Sequence, residues 1–124
     1  MLEKQPVKVP GARDWEAEFG FSPAVKLGNM IYLTGHVGCD KNGVCVSDAL
    51  EPQVIKVFEN LQATLTAAGS DLSKMLQMTC FIVDILRNGP PFWALISPSL
   101  TWLLKPPFRF GGYSFRLNAG GRPA

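Results

Sequence analysis

Leu27-Gly28-Asn29-Met30-Ile31-Tyr32-Leu33-Thr34-Gly35-His36-Val37-Gly38 decides how this chain folds. Gly28-Asn29 is a tight-turn dipeptide. The segment before it, Pro23 to Leu27, alternates apolar and polar residues, and Met30–Thr34 after it carries the apolar, β-branched and aromatic types that suit a pleated surface. The spacing predicts a β-hairpin. Where the apolar run gives out, Thr34 supplies a hydroxyl, Gly35 allows a close backbone approach, and His36 is the single imidazole of the chain. A strand ending this way builds either the floor of a small-molecule pocket or an ordinary turn out of the core. At this point both readings stand.

Downstream, Asn42-Gly43 is the strongest short hairpin signal in the chain, with a short arm expected over Val44–Val46. A helix is predicted from Glu51 to Ala68. Val54, Val57, Phe58, Leu61, Leu65 and Ala68 form one apolar stripe, with Lys56, Glu59, Asn60 and Gln62 expected on the other side. Pro52 suits a first turn, and Gly69 suits a left-handed C-terminus. Met75 to Val83 reads as a strand, giving a right-handed strand–helix–strand crossover if the two strands are parallel neighbours. Residues 1–22 read as a loose or edge-strand entry, with Trp15 and Phe19 packing down. A second helix is expected over Phe92–Leu104, interrupted by Pro98. Phe108 to Leu117 is expected as a strand bulged at Gly111-Gly112, and the last residues as a turn-like end.

With 124 residues, 47% apolar and 18% charged, the chain has the size and composition of one globular domain, 1–124. A net charge of +2 is too small to argue for a nucleic-acid or membrane partner. No signal-peptide pattern opens the chain, and no apolar run reaches the roughly 18 residues of a membrane span, so a soluble, cytoplasmic protein is expected. Cys39, Cys45 and Cys80 lack paired metal-ligand spacing. Cys39 and Cys45 flank a turn and could face each other as a redox pair, while Cys80 reads as a small buried hydrophobe. All ten acidic residues lie at or before Asp84; beyond it come only Arg87, Lys105, Arg109, Arg116 and Arg122.

Four pieces in register resemble the Rid family, the reactive intermediate deaminases also called YjgF-like or L-PSP proteins. They are F-S-P-A-V-K-L-G-N-M-I-Y-L-T-G-H-V-G at 21–38, D-K-N-G at 40–43, V-F-E-N-L-Q-A-T-L-T-A-A-G at 57–69 and M-T-C-F-I-V-D at 78–84. The match covers about residues 20–84. The resemblance implies an α+β, chorismate-mutase-like fold: a mixed β-sheet with two helices packed on one face. It also implies a homotrimer with pockets between subunits, hydrolysis of 2-iminopropanoate and 2-iminobutanoate to 2-oxo acids and ammonia, and no metal or cofactor.

The resemblance carries specific residues. Pro107-Phe108-Arg109 matches the family's P-x-R motif, so Arg109 is expected to hold a substrate carboxylate through two parallel charge-assisted hydrogen bonds. Thr34 and Gly35 stand for the family's strand-end serine and glycine. Phe21 stands for a ring that is often tyrosine, without its hydroxyl. His36 falls where many members carry glutamine and is expected to be structural or polar lining. An asparagine of active members would fall near Phe92. The catalytic residue is unassigned, because the family's glutamate on a final strand has no counterpart after Asp84 and that strand is expected to be missing. Two further readings follow: a non-catalytic binder of small carboxylates and, more distantly, an endoribonuclease. Residues 85–124 read as a divergent tail or a shifted reading frame.

Overall fold

A computed structural model describes residues 2–98 and, for the backbone, 109–114. The fold is α+β, and the chain divides between Asp71 and Leu72 into two compact units.

In the first unit, β1 (Gln5–Val7), β2 (Ala24–Leu27) and β3 (Met30–Leu33) form an antiparallel sheet in that order. The hairpin forms as expected. Leu27 lies opposite Met30, and the two-residue turn has positive φ at Gly28 (58°) but not at Asn29. That is the type II′ pattern, whose twist matches the flanking strands.

Pairing fixes the faces. Ala24 opposes Leu33 and Lys26 opposes Ile31 on one face; Val25 opposes Tyr32 and Leu27 opposes Met30 on the other. The first face carries the core, where Val7, Ala24 and Ala68 are buried against Ile31 and Leu33. On the second, Tyr32 is 64% exposed.

The predicted helix is α2, Leu50–Ala67, bounded within a residue of expectation. It ends as its sequence requires. Gly69 takes φ 83°, Ser70 N donates to Leu65 O at 2.8 Å, and Gly69 N to Thr66 O at 3.0 Å, which satisfies the orphan carbonyls. Lys26 Nζ reaches the Ala68 carbonyl at 3.5 Å, placing a cation at the negative end of the helix.

The entry segment differs from expectation. β1 is an edge strand, but Trp15–Phe19 forms a short helix, α1. Asp14 caps it through a bond from Ala17 N at 3.1 Å, and Gly20 closes it at φ 78°. Phe19 does not pack down; it is 57% exposed. Trp15, Phe19 and Phe21 stack at 5.6–6.1 Å between centroids. The Arg13 guanidinium lies over Trp15 and Phe19 and pairs with Glu18, so the planar cation covers ring faces the core leaves open.

In the second unit, β4 (Gln77–Phe81) pairs in parallel with β5 (Arg109–Ser114). Between them in sequence lies α3, Ile85–Ile96. Among the described residues the parallel strand pair is therefore the one that α3 separates in sequence, not the one expected across α2. The expected bulge is present: Met78 opposes Phe110 and Cys80 opposes Tyr113, so Gly111-Gly112 faces Thr79 alone.

The second helix begins earlier than the predicted Phe92. Asp84 enters it in a left-handed conformation (φ 51°), and its carbonyl accepts from Arg87 N and Asn88 N. Gly89, Phe92 and Ile96 form its buried stripe. Pro90 and Pro91 lie inside it, and Pro98 follows its C-cap Ser97 instead of breaking its middle. The expected helix beyond Pro98, the Pro107-Phe108 half of the arginine motif and the expected strand end at Leu117 lie outside the described residues.

Candidate functional site at the end of β3

Beyond Leu33 the chain leaves the sheet along α2 and is tied to it by three polar residues. Gln53, Asn60 and Thr64 recur at i, i+7 and i+11, which sets them on one face of a helix. Thr64 Oγ1 bonds His36 Nε2 at 2.8 Å. Asn60 Nδ2 donates to the carbonyls of Val37 (2.9 Å) and Cys39 (2.8 Å). Gln53 Nε2 donates to Ser47 O at 2.7 Å, and the Gln53 backbone fits so closely against Gly38 that a Cβ there would lie 2.9 Å from Gln53 Cα. Asn60, expected on the solvent side of the helix, is instead an inward anchor of this loop. The polar stripe carries the signal for it; apolar periodicity alone passes over it.

His36 is the obvious acid–base candidate by composition, and its partners remove it from that role. Its Nδ1 lies 2.8 Å from the Thr34 carbonyl, which can only accept, so Nδ1 carries the proton. Nε2 is left to accept from the Thr64 hydroxyl, and Thr64 is only 2% exposed. Burial lowers the imidazole pKa, and the Thr34 carbonyl opposes this only partly. His36 is thus a neutral strut between the end of β3 and α2.

Thr34 gives both its N–H and its hydroxyl proton to the Pro23 carbonyl, each at 3.0 Å. Its oxygen lone pairs are what it can offer outward, and the residue is exposed. Gly35 is exposed as well, and no atom of the chain lies within 4 Å of a Cβ added there. The close approach expected at Gly35 is therefore not used by atoms of the described chain. Phe21 is 45% exposed and stacks on Trp15 and Phe19.

Arg109 opens β5 with its backbone opposite Gln77; its side chain lies outside the described residues. Two surface depressions, one lined by residues of the α2 N-terminal half and Val46, the other by residues 8–16 and Pro23, include none of Thr34, Gly35 and Phe21. Phe92, where the amide of active family members was expected, is buried at 6% exposure.

The hairpin that follows is pinned by Asp40, whose Oδ1 accepts from Asn42 N (2.9 Å) and Val44 N (3.0 Å). Those bonds, with Val44 the stronger, hold the Asp40 carboxyl below its ordinary pKa. In place of the expected arm at Val44–Val46, only Cys39 and Cys45 form a β-bridge. Among the described residues no group of three or more His, Cys, Asp or Glu is placed to hold a metal ion, and no helix is long and apolar enough to cross a membrane.

The model of the family described as endoribonuclease L-PSP matches residues 12–89. The RutC family protein YjgH of Escherichia coli (strain K12) is 29% identical over 98% of this chain and 97% of its own length. A 2-iminobutanoate/2-iminopropanoate deaminase of Dermatophagoides farinae is 29% identical over 60% of this chain and 56% of its own. A solved structure of protein YjgH superposes with a TM-score of 0.79 at 25% identity, covering 97% of this chain and 90% of that one.

Proposed function

The chain belongs to the endoribonuclease L-PSP family, the Rid proteins, and from that premise we propose that it binds small 2-imino and 2-oxo acids and hydrolyses the former to 2-oxo acids and ammonia. The observation that carries this reading is the exposed strand end at Thr34 and Gly35, held rigidly on α2 by His36–Thr64 and Asn60. A relative 29% identical over 60% of this chain is named as such a deaminase.

In the proposed reaction the Arg109 guanidinium holds the substrate carboxylate, because its planar fork meets both oxygens at once. The Phe21 ring bounds the apolar side of the substrate. Thr34 Oγ1, whose own proton is committed to Pro23 O, accepts from the substrate N–H or from the attacking water. Water adds to the imine carbon, a proton moves to nitrogen, and ammonia leaves as the carbonyl forms. His36 takes no part as base, since that would cost its bond from Thr64.

We also read the protein as a homotrimer with its pockets between subunits. The exposed Tyr32 on the outer face of β3, and Phe81, 78% exposed on β4, are apolar surface of the kind that assembly covers. Residues 85–124 we take as divergent from the family; sequencing the gene across the Arg87 codon tests the alternative of a shifted frame.

The experiment is release of ammonia and 2-oxo acid from freshly generated 2-iminopropanoate. The parent is expected to accelerate it over buffer, and Arg109→Ala to lose roughly ten- to hundred-fold, the worth of a charge-assisted pair. Equal rates for Arg109→Ala and the parent would remove the clamp. The buried Phe92 and the ring without a hydroxyl at Phe21 favour a second reading, a non-catalytic binder. Calorimetric binding of pyruvate without turnover of the imine selects it. A solution mass of one chain instead of three sinks the shared-pocket arrangement.

A further inference from the structure

Cys39 and Cys45 face each other across the base of the Asp40–Gly43 turn as an isolated antiparallel bridge. The bonds on either side define the type of pair. Val46 N donates to Gly38 O at 3.0 Å and Asp40 N to Val44 O at 2.8 Å, while the two cysteines exchange no backbone bond. This is a non-hydrogen-bonded pair, in which the Cα atoms approach to about 4.5 Å and the side chains stand closest. That separation falls within the range of roughly 4.4–6.8 Å that a disulfide spans.

The register is not free to slip. Asp40 Oδ1 fixes the turn through Asn42 N and Val44 N, Asn60 holds the Cys39 carbonyl, and Gly38 is seated against the Gln53 backbone. Both thiols are free in the structure, Cys45 exposed and Cys39 half-buried. Cys45 Sγ lies 3.1 Å from the Ser47 carbonyl.

We propose that Cys39 and Cys45 are a reversible dithiol–disulfide site, oxidised by peroxide, that closes the 39–45 hairpin covalently. It stands apart from the proposed imine chemistry and does not depend on it. The accessible Cys45 reacts first. Its thiolate attacks one oxygen of hydrogen peroxide, the O–O bond breaks, and Cys45 becomes a sulfenic acid as one water forms. The Cys39 thiolate then attacks that sulfur, the S–O bond breaks, and the departing hydroxide takes the Cys39 proton and leaves as a second water, the Cys45 proton having left with the first. Two thiols have lost two electrons to the peroxide, and a dithiol reductant returns them. The order follows from environment. Partial burial, the adjacent Cys45 and the Asp40 carboxylate all raise the Cys39 pKa, which suits the resolving role. Cys80 is a natural bystander: burial pushes its thiol up to about 11, and it lies outside the hairpin.

The test uses the full chain, reduced, exposed to hydrogen peroxide, then denatured and alkylated with iodoacetamide. The expected product is a monomer lighter by two hydrogen atoms, with Cys39 and Cys45 both protected and Cys80 alkylated; dithiothreitol restores alkylation at all three. Cys39→Ser is expected to leave a Cys45 sulfenic acid that dimedone traps, and Cys45→Ser to leave Cys39 alkylatable. Full alkylation of Cys39 and Cys45 after peroxide overturns the proposal. So does a product bridged only between chains or to Cys80.

Discussion

The His36 imidazole is held at both nitrogens, Nε2 by the Thr64 hydroxyl and Nδ1 by the Thr34 carbonyl, each at 2.8 Å. One ring thereby joins the segment that follows β3 to the buried flank of α2. The tie has a cost if broken, because an imidazole nitrogen left without a donor beside a buried helix face loses its solvation unrewarded.

Thr64→Val keeps the shape of the side chain and removes the donor. It is expected to destabilise the protein by about 1–3 kcal/mol, read as a lower urea midpoint. An unchanged midpoint would mean that the His36–Thr64 bond contributes nothing net.

The lowered pKa of His36 sets a pH dependence. Its unfolded value is 6.5 and its folded value lies below that, so the unfolded chain binds the proton more readily. The stabilisation is complete above about pH 6.5 and is lost as pH falls through the folded value. Asp40, also lowered, gives way only at still more acid pH, below its ordinary 3.8. Urea unfolding followed from pH 7.5 to 5 should therefore show a decline that His36→Gln flattens and Asp40→Asn does not.

Gly38 and Gly35 stand three residues apart in sequence, and only Gly38 should be sensitive to alanine in its stability. At Gly38 the new Cβ would sit 2.9 Å from Gln53 Cα and 3.0 Å from its carbonyl oxygen, both backbone. Gly38→Ala is expected to lower stability by about 1–3 kcal/mol. Gly35→Ala meets nothing within 4 Å and should unfold like the parent. Any loss of imine turnover in Gly35→Ala would then report on the site and not on folding.

Asp84 is the one described non-glycine residue with positive φ, and its side chain makes no cap bond to α3. Asp tolerates the left-handed region better than alanine does. Asp84→Ala is expected to cost about 1 kcal/mol, with Asp84→Gly recovering most of it. Thermal or urea unfolding of the two variants checks the ranking.

The β2–β3 hairpin, the extent of α2 with its Gly69 terminus, and the bulge at Gly111-Gly112 were all legible in the residues themselves. Each depends on interactions between near neighbours in the chain: turn chemistry, a 3.6-residue stripe, and a glycine pair that interrupts an alternation. The start of α3 was not legible. Pro90 and Pro91 argue against a helix locally, yet its buried stripe of Gly89, Phe92 and Ile96 forms.

Through the family register the sequence pointed to Thr34, Gly35, Phe21 and Arg109. It could not say what Thr34 spends its proton on, or that Phe21 lies in an aromatic cluster beneath Arg13. His36 and Asn60 turn on contacts 28 and 21 or 23 residues away, and no local pattern encodes a partner at that distance. The strand end at Leu27–Gly38 was written in the sequence. That its histidine is a neutral strut, and that the loop behind it carries two cysteines in register, was decided by where α2 and the Asp40 turn bring the backbone.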